Sequence, residues 1–543
     1  MIYTITSTLP KEHGGRTKSL LQRIDLLKQQ LNINNVILTT NYNIEYPEIQ
    51  KTFIENGILD PSITHENIYD WLSGYRLYAV RQSRFKSKPI INETAREIEG
   101  LTSKVPKKDN DIVRYYDQER YVLYRKYYAQ SNILELEDFM DDISKHRIER
   151  RKYNQYGYIH QKIVYHPKTF GKQVETFYDG LGYPYCVKYY TSDEKPKLSL
   201  IQLVDQEGRP YRFFDNEKAL FRYYFESKFQ DGDIVFNDAR LLDRPLLFNK
   251  KKTKNILVFH NTHLQNDDTS VLKSYQFALE NSNAVFKYLI LTNHQKEDIQ
   301  AKYGISNDKF IVIPHSIDHT VSNSVEHARK DFVFIGRFGV QKQLPHLIRA
   351  YKLFKDKGYE DKLHLYGKDE DGQLKMIEAL IKELNLEKSV EINGFTSNPL
   401  DVFSRSKASL LTSLHEGFGL TIMESIKTGC PVVSYDVKYG PREIIDHGAN
   451  GYLVTPQNIE EFASRMEDIV NQPLQNVQLT SRLYQSTAIE NYKTLFNSLG
   501  YTYKKIYINR VNSRLIYALS KKAMKKQATK PFFIAFYYLF FIH

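Results

Sequence analysis

The chain has 543 residues, a formal net charge of +12, 41% hydrophobic and 13% aromatic residues, a length that calls for two or three domains, each able to bury a core. Its two cysteines, Cys186 and Cys430, stand far apart without a companion histidine cluster, which speaks against a disulfide framework and a structural zinc site. No apolar run reaches the length of a spanning helix, and the positive surplus favours anionic partners without choosing among nucleic acid, a membrane surface and a phosphate polymer.

IYTITS (2–7) reads as a first strand, followed by a loop with Gly14 and Gly15 and an amphipathic helix with Leu20, Leu21, Ile24 and Leu27 on its apolar side. VILTTN (36–41) reads as the second strand, so the chain begins as a Rossmann-like half. The loop lacks G-x-G-x-x-G and is no dinucleotide fingerprint; taken alone it is equally a plain tight turn. The first residues carry no basic stretch and too short an apolar run for a signal peptide, so a cytoplasmic location is expected.

From about 85 to 215 the texture changes to near-alternating segments such as RYYDQERYVLYRKYY and VETFYDGLGYPYCVKYY, with 15 of the 41 tyrosines between residues 112 and 191. This reads as a meandering antiparallel sheet inserted in the first Rossmann-like domain, with DGLGYP and DQEGRP as hairpin turns. Tyrosines in such a sheet are core residues more often than base-stacking platforms, and no RNA-binding signature accompanies them. The α/β texture resumes with KALFRYYFESKF, DIVFND, ILVFHNTH, YLILTN and KFIVIPHSID. His260 and His263 follow a strand, at the carboxyl end where open α/β sheets bind ligands, although a lone histidine is more often structural. SVEHARK reads as an interdomain linker.

The second Rossmann-like domain opens at DFVFIGRFGVQKQLPHLIRAY. Arg337 and Lys342 flank a strand–loop–helix junction, where a guanidinium fork and a point charge suit a diphosphate, or are merely solvated. The acidic run 369–371 reads as the opening of the helix after it rather than as a metal-binding D-x-D. The stretch HEGFGLTIMESIKTGCPVVSYDVKYGPR (415–442) then follows the apolar run SKASLLTS. It reads as strand, Gly-rich turn, helix, strand, a unit that aims free backbone N–H groups and a helix N-terminus at one pocket. Glu416 and Glu424, eight residues apart, return to about the same helical face and can both accept hydroxyl hydrogen bonds.

E-G-F-G-L-T-x-x-E resembles the E-x7-E signature of retaining glycosyltransferases of the GT-B architecture, two Rossmann-like domains facing across a cleft. YDVKYGPREII and NGYLV resemble the bacterial branch that α-glycosylates wall teichoic acid, and the resemblance runs from residue 1 to about 497. It implies residues 1–84 and 216–325 as the two parts of the first domain, 85–215 as the β insertion, 326–478 as the donor-binding domain, 479–502 as a crossover helix and 503–543 as a basic, apolar tail. It further implies that Arg337 and Lys342 bind the donor diphosphate, Glu416 the sugar hydroxyls and Glu424 the ribose. Gly417, Phe418, Gly419, Leu420 and Thr421 would complete the cradle, Gly15 would face the donor across the cleft, and Gly394 and Phe395 would approach the base. His263 would steady the reacting sugar, and His315 stands where the family has asparagine, which leaves its role open.

The reading is thus a cytoplasmic, metal-independent, retaining hexosyltransferase that uses a UDP-sugar as donor substrate and needs no cofactor. The sugar is glucose as first choice and N-acetylglucosamine as second, and the acceptor is poly(glycerol phosphate) or poly(ribitol phosphate), an anionic polyol-phosphate polymer rather than nucleic acid. A homo-oligomer through the β insertion is implied. The tail reads either as a peripheral membrane contact or as an accidental extension. Glycosylation of serine-rich adhesins, a non-enzymatic partner subunit and a nucleic-acid-binding module are the competing readings.

Overall fold

The computed structural model describes residues 1–12, 14–82, 88–107, 109–318 and 328–501. The chain falls into two compact units, Met1–Lys493 and Thr494–His543. Most of the second unit, with the basic and apolar tail, lies outside the described residues, as does most of the expected interdomain linker.

In the first unit, the strands Ile2–Thr6, Val36–Thr39, Thr64–Asn67, Ile234–Asn237, Lys254–Val258, Lys287–Ile290 and Phe310–Val312 form one parallel sheet. Numbered within the sheet, their order is 3-2-1-4-5-6-7, with Ile2 beside Ile234 and Tyr3 beside Val36. All five residues of Ile2–Thr6 are buried, the outcome for an unbroken β-rich run covered by helices on both faces. The strands Lys330–Ile335, Leu363–Tyr366, Val390–Gly394, Ser406–Leu411, Val432–Tyr435 and Gly451–Val454 form the second parallel sheet, in order 3-2-1-4-5-6. In both sheets the order reverses beside the first strand, and the crevice at such a reversal is where open α/β sheets take ligands.

Between Thr64–Asn67 and Ile234–Asn237 the chain builds a ten-stranded antiparallel sheet from Thr102 to Phe214 in which sequence neighbours pair throughout. Its turns are held by carboxylates. Asp179 Oδ1 accepts from the backbone N–H of Leu181 and Tyr183 at 3.0 and 2.9 Å, and Asp205 Oδ1 does the same for Glu207 and Arg209 at 2.9 Å. These are the DGLGYP and DQEGRP turns, in which the Asx side chain closes its own turn. Phe177, Tyr185, Cys186, Ile201 and Leu203 of this sheet join the core of the first parallel sheet around Phe221, Tyr224 and Phe225. Each such fully buried aromatic or aliphatic side chain contributes about 1.5–3 kcal/mol. The insertion therefore shares a core with the domain that carries it.

Leu291 from the first half packs in one cluster with Leu411, Phe418, Ile422 and Ile426 from the second, and with Leu479 and Leu483. The segment after the second sheet crosses back: Ile317 N–H donates to Leu483 O at 3.0 Å, and Tyr492 reaches a cavity beside Arg23. The helix here, Gln485–Ser498, starts later than the crossover helix expected over 479–502. Residues 481–483 form a short 3-10 turn instead.

Burial leaves several histidines neutral. His65 and His263 are pushed down to about 4, His160 and His315 to about 3. Between these values and the unfolded value near 6.5 the unfolded chain binds more protons, so stability rises with pH through that window and is complete above it. Urea denaturation at pH 5 is expected to give lower stability than at pH 7.5. His263 alone accounts for about 2 kcal/mol of the difference, and equal stability at the two pH values would show that these rings titrate normally.

Candidate active site

The two loops beyond the reversal point of the second sheet are laced together. Thr412 Oγ1 donates to Lys342 O and Gln343 O, each at 3.1 Å; Leu414 N–H donates to Gln341 O at 2.8 Å, and Gln341 Nε2 to His415 O at 2.7 Å. This lacing brings Lys342 Nζ to 2.6 Å from Glu416 Oε1, and Ser413 Oγ donates to the same oxygen at 2.7 Å. Glu416 is only 8% exposed. Burial opposes its ionisation, yet the Lys342 ammonium and the Ser413 hydroxyl hold its carboxyl below the ordinary glutamate value. The pair is therefore ionic, a buried charge compensated by a buried charge.

Arg337 follows the strand Lys330–Ile335 but does not join this pair. It is exposed and ion-paired with Glu370. The acidic run divides its work, since Asp369 Oδ1 accepts from Leu374 N–H at 3.0 Å in the first turn of the helix Gln373–Glu383. Gly394 closes its strand, with its carbonyl accepting from Gly367 N–H at 2.7 Å. Phe395 beside it is 68% exposed, with Lys368 Nζ 5.0 Å from the ring centroid. An open aromatic face with a cation over it is suited to stacking a flat base.

In the Gly-rich turn, Gly419 has φ +104° and caps the helix Leu420–Lys427, a conformation that disfavours any side chain. Phe418 is buried and meets the His315 ring edge-on at 5.3 Å. Gly417 lies against the first half, where a Cβ would stand 2.8 Å from Asn261 Cα and deep inside contact with His260 O. Gly15 is the first residue of the helix Gly15–Leu31 rather than part of the loop before it, and a Cβ there would lie 3.4 Å from Leu420 Cδ1. Thr421 lies in the first turn of the helix Leu420–Lys427. Glu424, on the same helix, is ion-paired with Lys18 of the opposite half. The two carboxylates of the motif thus have different partners, one from each side of the cleft.

His263 is fully buried, and its ring lies parallel to Tyr439 at 5.8 Å. Among the described residues neither ring nitrogen has a hydrogen-bond partner. Tyr439 ties this ring to the motif, because its N–H donates to Glu416 O at 2.7 Å while its hydroxyl donates to Asp298 Oδ2 at 2.8 Å. Lys342, Ser413, Glu416, Tyr439 and His263 therefore form one continuous set of contacts, whereas Arg337, Gly394 and Phe395 sit along the outer part of the same loop row.

Sequence reasoning did not single out Ser413, Lys18, Tyr439, Asp298, Arg23 or Asp238, and it read Glu370 only as part of an acidic run and His315 only as a departure from the family. Asp238 had a signal: it directly follows the strand Ile234–Asn237, at the carboxyl end where His260 and His263 were noticed.

Residues 318–486 match the family described as Glycosyl transferases group 1. The chain is 28% identical over 483 residues to a poly(glycerol-phosphate) alpha-glucosyltransferase of Bacillus subtilis (strain 168), covering 85% of this chain and 68% of that one. It is 27% identical over 508 residues to a poly(ribitol-phosphate) alpha-N-acetylglucosaminyltransferase of Staphylococcus aureus (strain COL), covering 91% and 97%. A crystal structure of a variant of S. aureus TarM with Fondaparinux, alpha-GlcNAc-glycerol and UDP shares the fold, with TM-score 0.74 at 23% identity over 92% of this chain and 99% of that one. The pneumococcal O-GlcNAc transferase GtfA does so with TM-score 0.63 at 18% identity, covering 92% and 99%. With two parallel sheets of Rossmann order, an antiparallel insertion and this likeness, the chain has the GT-B fold, matches the glycosyl transferases group 1 family over residues 318–486 and is similar along most of its length to teichoic-acid α-glycosyltransferases.

Proposed function

We propose that the protein is a retaining, metal-independent hexosyltransferase that moves a sugar from a UDP-sugar onto wall teichoic acid, a poly(glycerol phosphate) or poly(ribitol phosphate). Glucose is the first choice of sugar and N-acetylglucosamine the second. The observation that carries the reading is the compensated Lys342–Glu416 pair at the reversal point of the second sheet. Lys342 and Arg337 offer positive charge to a departing diphosphate, the place where preorganised electrostatics lowers a barrier most. Both hydrogen bonds to the Glu416 carboxylate land on Oε1, which leaves Oε2 for a sugar hydroxyl. Glu424 would hold the ribose, Phe395 and Gly394 would meet the base, and the amides from Gly417 to Thr421 would cradle phosphate. His263, neutral and parallel to Tyr439, would act by position rather than by charge. The names of the curated relatives, which differ in sugar and in polyol, support the acceptor class and leave the sugar to experiment.

The test is incubation with a panel of UDP-sugars and purified teichoic acids, reading product mass and anomeric configuration. An α-linked hexose on the polymer, formed equally in the presence of a chelator, is the expected result. Product only on a serine-rich peptide, or a β-linked product, would replace this reading.

Glu370 gives a sharper handle on the donor site. Its pair with Arg337 is exposed on both sides, so it contributes at most about 1 kcal/mol to stability. Glu370→Gln is expected to leave the melting temperature in place and to tighten UDP binding, because Arg337 is then shared with no carboxylate. Weaker UDP binding in that variant would place Arg337 outside the diphosphate site.

A further inference from the structure

A buried polar group in the first half stands directly behind the Gly-rich turn. Arg23, from the helix Gly15–Leu31, donates through both Nη atoms to Asp238 at 2.9 and 2.6 Å, and all three Arg23–Asp238–His260 side chains are buried. Asp238 is fixed to the sheet as well, its N–H donating to Ile5 O at 3.0 Å. His260 Nε2 lies 2.6 Å from Asp238 Oδ1. An ionised carboxylate only accepts, so His260 donates Nε2–H, and Nδ1 carries the lone pair. The Arg23 guanidinium keeps Asp238 ionised despite its burial.

The same histidine faces the motif through its backbone. Its carbonyl oxygen is the atom that Gly417 packs against, one residue from Glu416. Three residues along the same loop, His263 lies parallel to Tyr439, whose N–H donates to Glu416 O at 2.7 Å. The loop 260–263 thus touches the Glu416 segment at Gly417 and, through Tyr439, at Glu416 itself; behind it stand the His260 side chain, the strand before it, and Gln295 Nε2 and Tyr275 Oη, which donate to Asn261 O at 2.9 and 3.3 Å. His315 joins the group, parallel to His260 at 6.2 Å. Ser19 Oγ donates to Gly15 O at 2.7 Å, so at 3.2 Å it accepts from His315 Nε2–H. A cavity of about 40 Å³ lined by Ser19, Arg23, His260, His315 and Tyr492 lies between these side chains. It has room for a water bridging His260 Nδ1 and Arg23 Nε, which have no other partner among the described residues.

We propose that His260 and Asp238 are positioning residues for glycosyl transfer. Asp238, oriented by Arg23, fixes the tautomer and direction of His260, and His260 in turn sets how closely the loop carrying His263 meets the turn carrying Glu416. The proposal rests on the glycosyltransferase reading. The donor's nucleotide would be held by the second half, so the relay acts on the alignment of the halves and on turnover, not on UDP affinity. A misplacement of about 1 Å at a reacting centre is enough to cost roughly 100-fold in rate.

The experiment compares His260→Phe with His260→Gln in the full chain. Phenylalanine keeps the ring volume and the stacking but cannot donate; glutamine keeps an N–H for Asp238. UDP affinity by titration calorimetry, kcat for transfer and thermal melts are measured on each. His260→Phe is expected to lower kcat at least tenfold with UDP affinity within twofold of the parent, and His260→Gln to recover kcat to within about threefold. Turnover of His260→Phe within twofold of the parent overturns the proposal. So does a glutamine variant no better than phenylalanine, or a loss of UDP affinity that parallels the loss of kcat. The parent's own turnover tests the glycosyltransferase reading separately: a parent that transfers from no UDP-sugar overturns that reading and this proposal with it.

Discussion

Replacing Lys342 by alanine is expected to lower kcat/KM by about 10²–10³-fold and to destabilise the protein at the same time. The two effects have one cause. Lys342 and Glu416 are both largely buried and share a 2.6 Å bond, and breaking a buried pair by removing one partner costs about 3–5 kcal/mol because the other charge is left uncompensated. In the variant Glu416 is driven to take up a proton, which turns one carboxylate oxygen from acceptor to donor and spoils it for a sugar hydroxyl. A second variant separates the effects. The double substitution Lys342→Met with Glu416→Gln leaves no buried charge, and the glutamine still accepts from Ser413. Its melting temperature should recover most of what Lys342→Met alone loses, while its turnover stays low. If both variants retain kcat/KM within twofold of the parent, the pair is structural and the proposed donor site is elsewhere.

The second large effect is expected at Gly417. Alanine there has no space, since its Cβ would stand 2.8 Å from Asn261 Cα and still closer to His260 O, both backbone atoms that no rotamer change can clear. The variant must push the turn and the loop 260–263 apart by an ångström or so. Turnover should fall by roughly 100-fold, and UDP affinity should fall less, because only the Gly417 end of the proposed phosphate cradle is displaced. Gly14→Ala is the control, since nothing lies within 4 Å of a Cβ at Gly14 and its φ is −87°. That substitution is expected to change stability by no more than about 1 kcal/mol, since the lower entropy of the unfolded chain is opposed by the poorer fit of alanine at a helix N-cap. Equal turnover in Gly417→Ala and Gly14→Ala would mean that the two loops move independently.

The two Rossmann-like halves were legible because their strands are short apolar or β-branched runs between amphipathic helices, as with IYTIT and VILT. The antiparallel insertion was legible from near-alternation and from Asx turns that close themselves. Residues 46–72 were not. The edge strand Thr64–Asn67 reads THEN, with neither an apolar run nor alternation, and it is a strand only because Val36–Thr39 offers it a ladder. Within the site, the spacing of Glu416 and Glu424 placed both at one turn and helix, but their partners follow from tertiary packing. Lys18 and Glu424 are 406 residues apart, Arg23 and Asp238 are 215 apart, and no local pattern encodes such a pairing. His315 was visible as a departure from the family's asparagine, yet its bond to Ser19 needed the fold.

The strand pairing Ile2↔Ile234 also fixes an order of events in the making of this protein. At a synthesis rate of about 5–20 residues per second, Ile2–Thr6 waits roughly 10–50 s for its neighbour on that side. Val36–Thr39 arrives early and covers one flank; the other flank of a β-rich strand stays an open edge, the kind that invites foreign strands. The ten strands that emerge meanwhile pair only with their immediate predecessors, so their loops are short and inexpensive to close. The inserted sheet can thus complete its pairing first, and its apolar face around Phe177, Tyr185 and Leu203 is then a surface on which the last strands of the N-terminal half find their places.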